Sequence, residues 1–95
     1  MQRQLILTEK FKRAFRKFVR RDARLRKHIE DTLMQMQEDV FSASLGTHKL
    51  SGILEGLRAC SCGYDCRIVF SLEPKPDNEG ELIVLLDIGT HREVY

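Results

Sequence analysis

Leu54-Glu55-Gly56-Leu57-Arg58-Ala59-Cys60-Ser61-Cys62-Gly63-Tyr64-Asp65-Cys66-Arg67-Ile68-Val69-Phe70-Ser71-Leu72 is the stretch that decides the fold. From Leu54 the apolar spacing takes the strand period of two, and Gly63-Tyr64 interrupts it midway. The stretch reads as two antiparallel strands, Leu54–Cys62 and Asp65–Leu72, with a tight connection at Gly63-Tyr64. Downstream, Glu73 to Gly80 is rich in Pro, Asp, Asn and Gly and reads as an exposed loop. The chain then returns as a strand over Glu81–Ile88, holding the most apolar run, Leu82-Ile83-Val84-Leu85-Leu86. A strand that apolar is anchored in a core, and Gly89 lets the chain turn sharply where it leaves.

Upstream the period is helical. Leu5-Ile6-Leu7 reads as a short first strand, and Thr8 is placed to cap a helix with Glu9 in its first turn. Phe11, Ala14, Phe15, Phe18 and Val19 then form one apolar stripe, with Lys12, Arg13, Arg16, Lys17 and Arg20 around it. At that spacing the phenylalanines are core rather than a base-stacking surface. Asp22 is placed to cap a second helix carrying Leu25, Ile29, Leu33 and Met36 on one side. The pattern fades after Met36, and Val40 to Thr47 reads as a loop broken by Ser42, Ser44 and Gly46. The predicted order is β-α-α-β-β-β. It defines an α+β fold, two N-terminal helices covering one face of a small, antiparallel-rich sheet. The other face is expected to be partly open and lined by polar residues of the late strands.

At 95 residues the chain makes one domain, 1–95, with no room for a second core. Its longest apolar stretch is far too short to span a bilayer, so no membrane partner is expected. No apolar segment of signal-peptide length follows Met1-Gln2-Arg3-Gln4, so the expected compartment is the cytoplasm. The net charge of +2 hides an asymmetry. Residues 1–30 hold 11 Lys/Arg against 3 Asp/Glu, whereas residues 31–95 hold 5 against 11. A basic half joined to an acidic half suits a polyanion, an acidic protein, or both, although a solvated helix face has the same charges. Cys60, Cys62 and Cys66 are odd in number and lack the usual paired zinc spacing. Free buried thiols are expected, and no metal or cofactor.

Several polar groups collect near the expected hairpin and its neighbours. His48 and Lys49 lie in the loop entering the sheet, Arg58 and Ser61 on the first meander strand, and Asp65 and Arg67 on the next. His91, Arg92 and Tyr95 follow the last strand. Each has a plain structural use: His48 can cap its loop, Asp65 can fix the turn, and Arg67 can pair across the sheet. Together they are acid/base groups and cations, a set suited to RNA cleavage by attack of the ribose 2′-OH on the adjacent phosphate. Histidine titrates near neutrality and serves as base or acid. Arginine matches phosphate oxygens, and the 2′-OH requirement selects RNA over DNA.

These residues also carry a family resemblance. His48-Lys49-Leu50-Ser51-Gly52, Leu54-Glu55-Gly56-Leu57-Arg58, Tyr64-Asp65-Cys66-Arg67-Ile68-Val69-Phe70 and Ile88-Gly89-Thr90-His91-Arg92-Glu93-Val94-Tyr95 resemble the RelE/YafQ family. That family comprises ribosome-dependent mRNA interferase toxins of type II toxin–antitoxin systems, and the likeness spans nearly the whole chain. It implies an endoribonuclease acting on mRNA in the ribosomal A site, holding ribosomal RNA, and blocked by a cognate antitoxin protein. By position, His48, Asp65, His91 and Tyr95 match catalytic positions of the YafQ branch. Arg67 and the His91/Tyr95 pair match positions that the RelE branch fills with arginine and tyrosine. Lys49, Arg58, Ser61 and Arg92 would bind substrate. Ser61 stands where the YafQ branch carries a histidine, and the α-carboxylate of Tyr95 would bring negative charge that Arg92 is placed to offset. The alternative readings are a ParE-like gyrase-inhibiting toxin and a non-catalytic RNA- or antitoxin-binding module.

Overall fold

In the computed structural model, which describes residues 3–95, both helices begin at their expected caps. Met1 and Gln2, part of the start tested for a signal sequence and of the expected 1–95 domain, lie outside the described residues. The Thr8 hydroxyl accepts from the Phe11 backbone N–H at 3.1 Å and opens helix α1, Glu9–Phe18. Asp22 accepts from Leu25 at 3.0 Å and opens α2, Ala23–Glu38. Caps of this kind contribute about 1 kcal/mol each. Between the helices Arg21 takes a left-handed φ of 62°, which redirects the chain. Phe11, Val19, Ile29 and Met36 are buried, and Ala14, Phe15, Phe18, Leu25 and Leu33 pack against them. Both predicted stripes therefore face one core, and the phenylalanines belong to it.

The sheet has strands β1 (Gln4–Leu7), β2 (His48–Lys49), β3 (Arg58–Gly63), β4 (Cys66–Pro74) and β5 (Glu81–Gly89), in spatial order β1-β5-β4-β3-β2. All neighbours are antiparallel except β1 and β5, which run parallel with Gln4 opposite Leu82 and Leu7 opposite Leu85. The interior position of β5 accounts for its apolar run: Ile83 and Leu85 face the helices fully buried. The α+β class and the helices-on-sheet arrangement are as expected.

The details differ in four places. The strand expected from Leu54 starts only at Arg58, because Gly56 has φ +94° and residues Gly52–Leu54 form a 3₁₀ turn. His48 and Lys49, expected in a loop, form the edge strand β2, and the Val40–Thr47 loop contains a 3₁₀ turn at Ala43–Leu45. Gly63 stays in β3 opposite Cys66, so the connection is Tyr64-Asp65. The last residues form a single helical turn, α3, His91–Val94.

One further expectation is met in part and another is corrected. The face away from α1 and α2 carries polar residues of the late strands, Ser61 on β3 and Arg67 on β4, and beside them an apolar area. Val69 is buried there, and a cavity of about 310 Å³ is lined by Leu54, Leu57, Val69, Leu86 and Val94 among others. Leu86 is the extra residue of a bulge, since Val69 pairs with Asp87 and Phe70 with Leu85. The cysteines are not all free: Cys62 and Cys66 form a disulfide, and Cys60 alone is a buried thiol. The cause is the register shift between Ser61 and Gly63, which brings the Cys62 and Cys66 Cα atoms to 5.0 Å. Spacing in sequence gave no sign of that shift.

Candidate active site

The β3–β4 hairpin and α3 meet at one end of the sheet. Asp65 sits in the hairpin turn with φ +49°, a left-handed conformation that aspartate tolerates better than most residues. Its Oδ1 accepts from the His91 backbone N–H at 3.1 Å, tying the hairpin to the first residue of α3. Such a carboxylate also suits a helix N-terminus electrostatically. Thr90 and Glu93 complete the turn with a capping box: the Glu93 N–H donates to the Thr90 hydroxyl at 3.3 Å, and the Thr90 N–H donates to Glu93 Oε1 at 2.9 Å. The Thr-x-x-Glu spacing is a local signal of a helix start, although no third helix was among the expected elements.

One helical turn separates His91 from Tyr95, so their rings meet edge to face, with centroids 4.4 Å apart. Burial raises the Tyr95 phenol above its usual range, and the Arg67 guanidinium pulls it partly back. The net upward shift keeps the phenol protonated near neutrality, as a hydrogen-bond donor. Gly89 has a different use from the sharp turn predicted for it. A Cβ there would stand 3.0 Å from Glu93 Oε1 and 3.2 Å from Glu93 Cβ, so glycine makes room for the box.

Arg67 Nη1 donates to the carbonyls of Cys66 at 2.8 Å and Gly63 at 3.2 Å, which anchors the guanidinium to the hairpin. Ser61 is its cross-strand partner and donates to the same Gly63 carbonyl at 3.3 Å. Because side chains alternate along a strand, the register sorts the other residues by face. His48 pairs with Ala59 and so shares the face of Ser61 and Arg67, while Lys49 pairs with Arg58 on the opposite, helix-bearing face. His48 Nδ1 lies 3.0 Å from the Gly46 carbonyl. A carbonyl only accepts, so a neutral ring carries its proton on Nδ1 and leaves Nε2 as the acceptor.

Asp65, Arg67, His91 and Tyr95 are thus brought together with Ser61, and His48 stands on the same face at the sheet edge. Lys49 and Arg58 are turned away, and Arg92 is exposed on α3. The Arg58 guanidinium lies 5.5 Å from the centre of the Phe41 ring, which Arg3 also approaches at 5.6 Å. Phe41 follows α2 in a stretch read only as loop, and nothing in its spacing marked it. Burial pushes the Cys60 thiol up to about 12, against the pull of Arg67, so it is inert as a nucleophile near neutrality. Among the described residues, no group of three His, Cys, Asp or Glu is arranged to hold a metal ion. No described helix is long and apolar enough to cross a membrane.

The fold is the one found in small bacterial toxins of the YoeB/ParE and YafQ kinds. A YafQ mutant from E. coli superposes with a TM-score of 0.77 at 16% identity, over 99% of each chain. A YoeB/ParE toxin from Agrobacterium tumefaciens gives 0.75 at 18% identity, over 93% of this chain and 98% of its own. YafQ in the E. coli DinJ–YafQ toxin–antitoxin complex gives 0.75 at 15%, over 100% and 99%. No protein-family model and no curated protein sequence matches the chain.

Proposed function

We propose that the protein is the toxin of a toxin–antitoxin pair, an endoribonuclease that cuts mRNA in the ribosomal A site. The observation that carries this reading is the cluster at the hairpin end: His91 and Tyr95 stand in ring contact on α3, α3 is tied to Asp65, and Arg67 lies beside them. The likeness in fold to YafQ and YoeB toxins supports it.

In this mechanism a base takes the proton of the ribose 2′-OH, which attacks the adjacent phosphorus as the bond to the 5′-oxygen breaks. An acid returns a proton to that leaving oxygen. His48 and His91 share these roles; Nε2 of a neutral His48 is able to accept a proton. Arg67 stabilises the charge on the phosphoryl oxygens, and its anchored guanidinium loses little freedom on doing so. Asp65 positions His91 through the helix backbone. Tyr95 stacks on a base or orients the 2′-OH through its protonated phenol. Ser61 binds without supplying the proton transfer that a histidine offers. Lys49 and Arg58, on the other face, meet the backbone of ribosomal RNA, as do the basic residues of α1 and α2, and Arg92 contributes at the site. The partner is a cognate antitoxin, as DinJ is in the complex with YafQ, and the compartment is the cytoplasm.

Primer extension on cellular mRNA after brief induction tests the reading. Codon-phased cuts are expected with the parent and at least a 100-fold loss with His91→Ala. Equal cutting by the variant removes His91 from the mechanism, and gyrase-linked DNA damage without cut mRNA overturns the nuclease reading.

A further inference from the structure

The Cys62–Cys66 disulfide joins residues 4 apart in sequence, at the tip of the β3–β4 hairpin. Closing so short a loop removes little entropy from the unfolded chain, so the bond adds little to global stability. What hangs on the loop is the candidate site. The Gly63 carbonyl accepts from Arg67 Nη1 at 3.2 Å and from the Ser61 hydroxyl at 3.3 Å. The Cys66 carbonyl accepts from the same Arg67 nitrogen at 2.8 Å. Asp65, also in the loop, accepts from the His91 N–H at 3.1 Å and so holds α3. Both carbonyls that anchor Arg67, and the carboxylate that tethers α3, therefore belong to residues 62–66, the ring that the disulfide closes.

The sulfurs themselves lie in packed surroundings. Cys62 and Cys66 are each 1% exposed and belong to the core. From α2 the His28 ring closes against the loop. A Cβ on Gly63 would stand 3.2 Å from His28 Cδ2 and Nε2 and 4.0 Å from Cys66 Cβ, and Gly63 has φ +133°, so glycine is required there on both counts. Cys60 stands apart from the pair, its thiol donating to Met36 Sδ of α2 at 3.8 Å. On reduction the two sulfurs must separate from bonding distance to van der Waals contact, and a close-packed core has no room for this. The side with room is the outer one, where Tyr64 and Asp65 are exposed. Movement that way shifts the Gly63 and Cys66 carbonyls under Arg67 and the Asp65 carboxylate at α3. A hairpin tip also opens at lower cost than the whole domain, which gives a small thiol its way to the sulfurs.

We infer that Cys62 and Cys66 are a reversible redox site that controls the neighbouring cluster: oxidised, the loop holds Arg67 and α3 in place, and reduced, it releases them. In the cytoplasm, the compartment proposed above, thiols are kept reduced, and a disulfide there is typically catalytic or redox-sensing. Low-molecular-weight thiols supply the electrons. One thiolate attacks a protein sulfur, forms a mixed disulfide and frees the other cysteine; a second displaces the remaining cysteine and leaves as the small-molecule disulfide. Two electrons pass to the protein, and the two protons given up by the small thiols go to the freed cysteines. Oxidation by a small-molecule disulfide runs the same steps in reverse. The inference rests on the nuclease reading for the activity that is controlled, and Cys62 and Cys66 act in it as positioning residues.

The test compares the parent, equilibrated over a series of reduced-to-oxidised glutathione ratios, with the double variant Cys62→Ala/Cys66→Ala. On programmed ribosomes the oxidised parent should cut with a kcat about 10-fold or more above that of the reduced parent, at little-changed KM, because a misplaced Arg67 fails in the transition state. Cleavage and free-thiol content should change together along the series and recover on reoxidation. The double variant should cut like the reduced parent at every ratio, which separates the protein's response from any effect of thiols on the ribosome. A second measurement does not depend on cleavage: protection of the His91 amide from hydrogen exchange should fall about five-fold or more on reduction. Equal cutting by the oxidised parent, the reduced parent and the double variant overturns the redox site while leaving the nuclease reading intact. All 3 cysteines free at every ratio also overturns it, since the pair then never closes. So does loss of the circular dichroism of the fold on reduction, which makes the bond a structural staple. A fall in cutting with unaltered His91 protection overturns the route through the loop. Redox-dependent His91 protection in a protein that cuts no mRNA in either state keeps the redox-controlled loop and overturns the nuclease reading.

Discussion

Asp65 offers the sharpest test of how the site is held together, because one side chain has two separable jobs. Its carboxylate receives the His91 N–H, and its backbone occupies a left-handed conformation. The bond is solvent-exposed, so its net worth is about 1 kcal/mol rather than the larger value of a buried charged pair. A residue with an ordinary Cβ in that conformation costs about 1 kcal/mol more. Asp65→Ala loses the bond and takes on the strain, a destabilisation of about 2 kcal/mol. Asp65→Gly loses the bond but relieves the conformation, and should stay within about 0.5 kcal/mol of the parent. Asp65→Asn keeps both an acceptor oxygen and the tolerance for positive φ, and should also stay within about 0.5 kcal/mol. In a domain of this size, 2 kcal/mol corresponds to a fall in Tm of roughly 10 °C. Urea denaturation ranks the three variants, and hydrogen exchange of the His91 amide reports the bond itself. Protection of that amide should drop about five-fold in both Asp65→Ala and Asp65→Gly. Equal destabilisation of those two variants would refute the conformational argument. Unaltered His91 protection would refute the tether.

Gly89→Ala should displace the Glu93 side chain by a few tenths of an ångström and break half of the capping box, at a cost of about 1 kcal/mol. The check is faster exchange of the Thr90 amide, and unchanged exchange would show that Glu93 moves aside freely. For the cysteines, thiol titration of the unfolded, unreduced protein should find Cys60 alone, whereas three reactive thiols would contradict the Cys62–Cys66 bond. Closing so short a loop is worth at most about 2 kcal/mol, and reductant should lower stability by no more than that. Cys60 adds a pH dependence of definite sign. Its folded thiol is raised from 9.0 to about 12, so its contribution is complete below pH 9 and is lost between pH 9 and 12. The upper bound is about 4 kcal/mol, and Cys60→Ala should flatten that part of the stability profile.

The sequence made the helices legible because their signals are local: Thr8 and Asp22 cap within one turn, and the stripes from Phe11 to Val19 and from Leu25 to Met36 repeat at the helical period. The last strand was equally plain, since only an interior strand needs an unbroken run such as residues 82–86. What sequence could not supply was register. One shifted pair between Ser61 and Gly63 moved the turn to Tyr64-Asp65 and joined Cys62 to Cys66. The two-residue strand His48–Lys49 is too short to show a period, yet its pairing decides that His48 shares a face with Arg67 and that Lys49 and Arg58 do not. The Asp65–His91 bond crosses 26 positions of sequence, and nothing local to either residue announces it.

The parallel pairing of β1 with β5 has a consequence for when the protein can act. Strand β1 is made first, but the strand it pairs with begins at Glu81 and lies between β1 and β4. Until β5 emerges from the exit tunnel, a growing chain can form its helices and the local β3–β4 hairpin, but its sheet lacks the strand that joins the two halves. Thr8 likewise waits for the Leu85 carbonyl, to which its hydroxyl donates at 2.7 Å. His91 and Tyr95 follow β5 in the chain, so the cluster is assembled only after β5 and α3 have both left the tunnel. On the function proposed here, a growing chain would therefore carry no assembled site before β5 has joined the sheet.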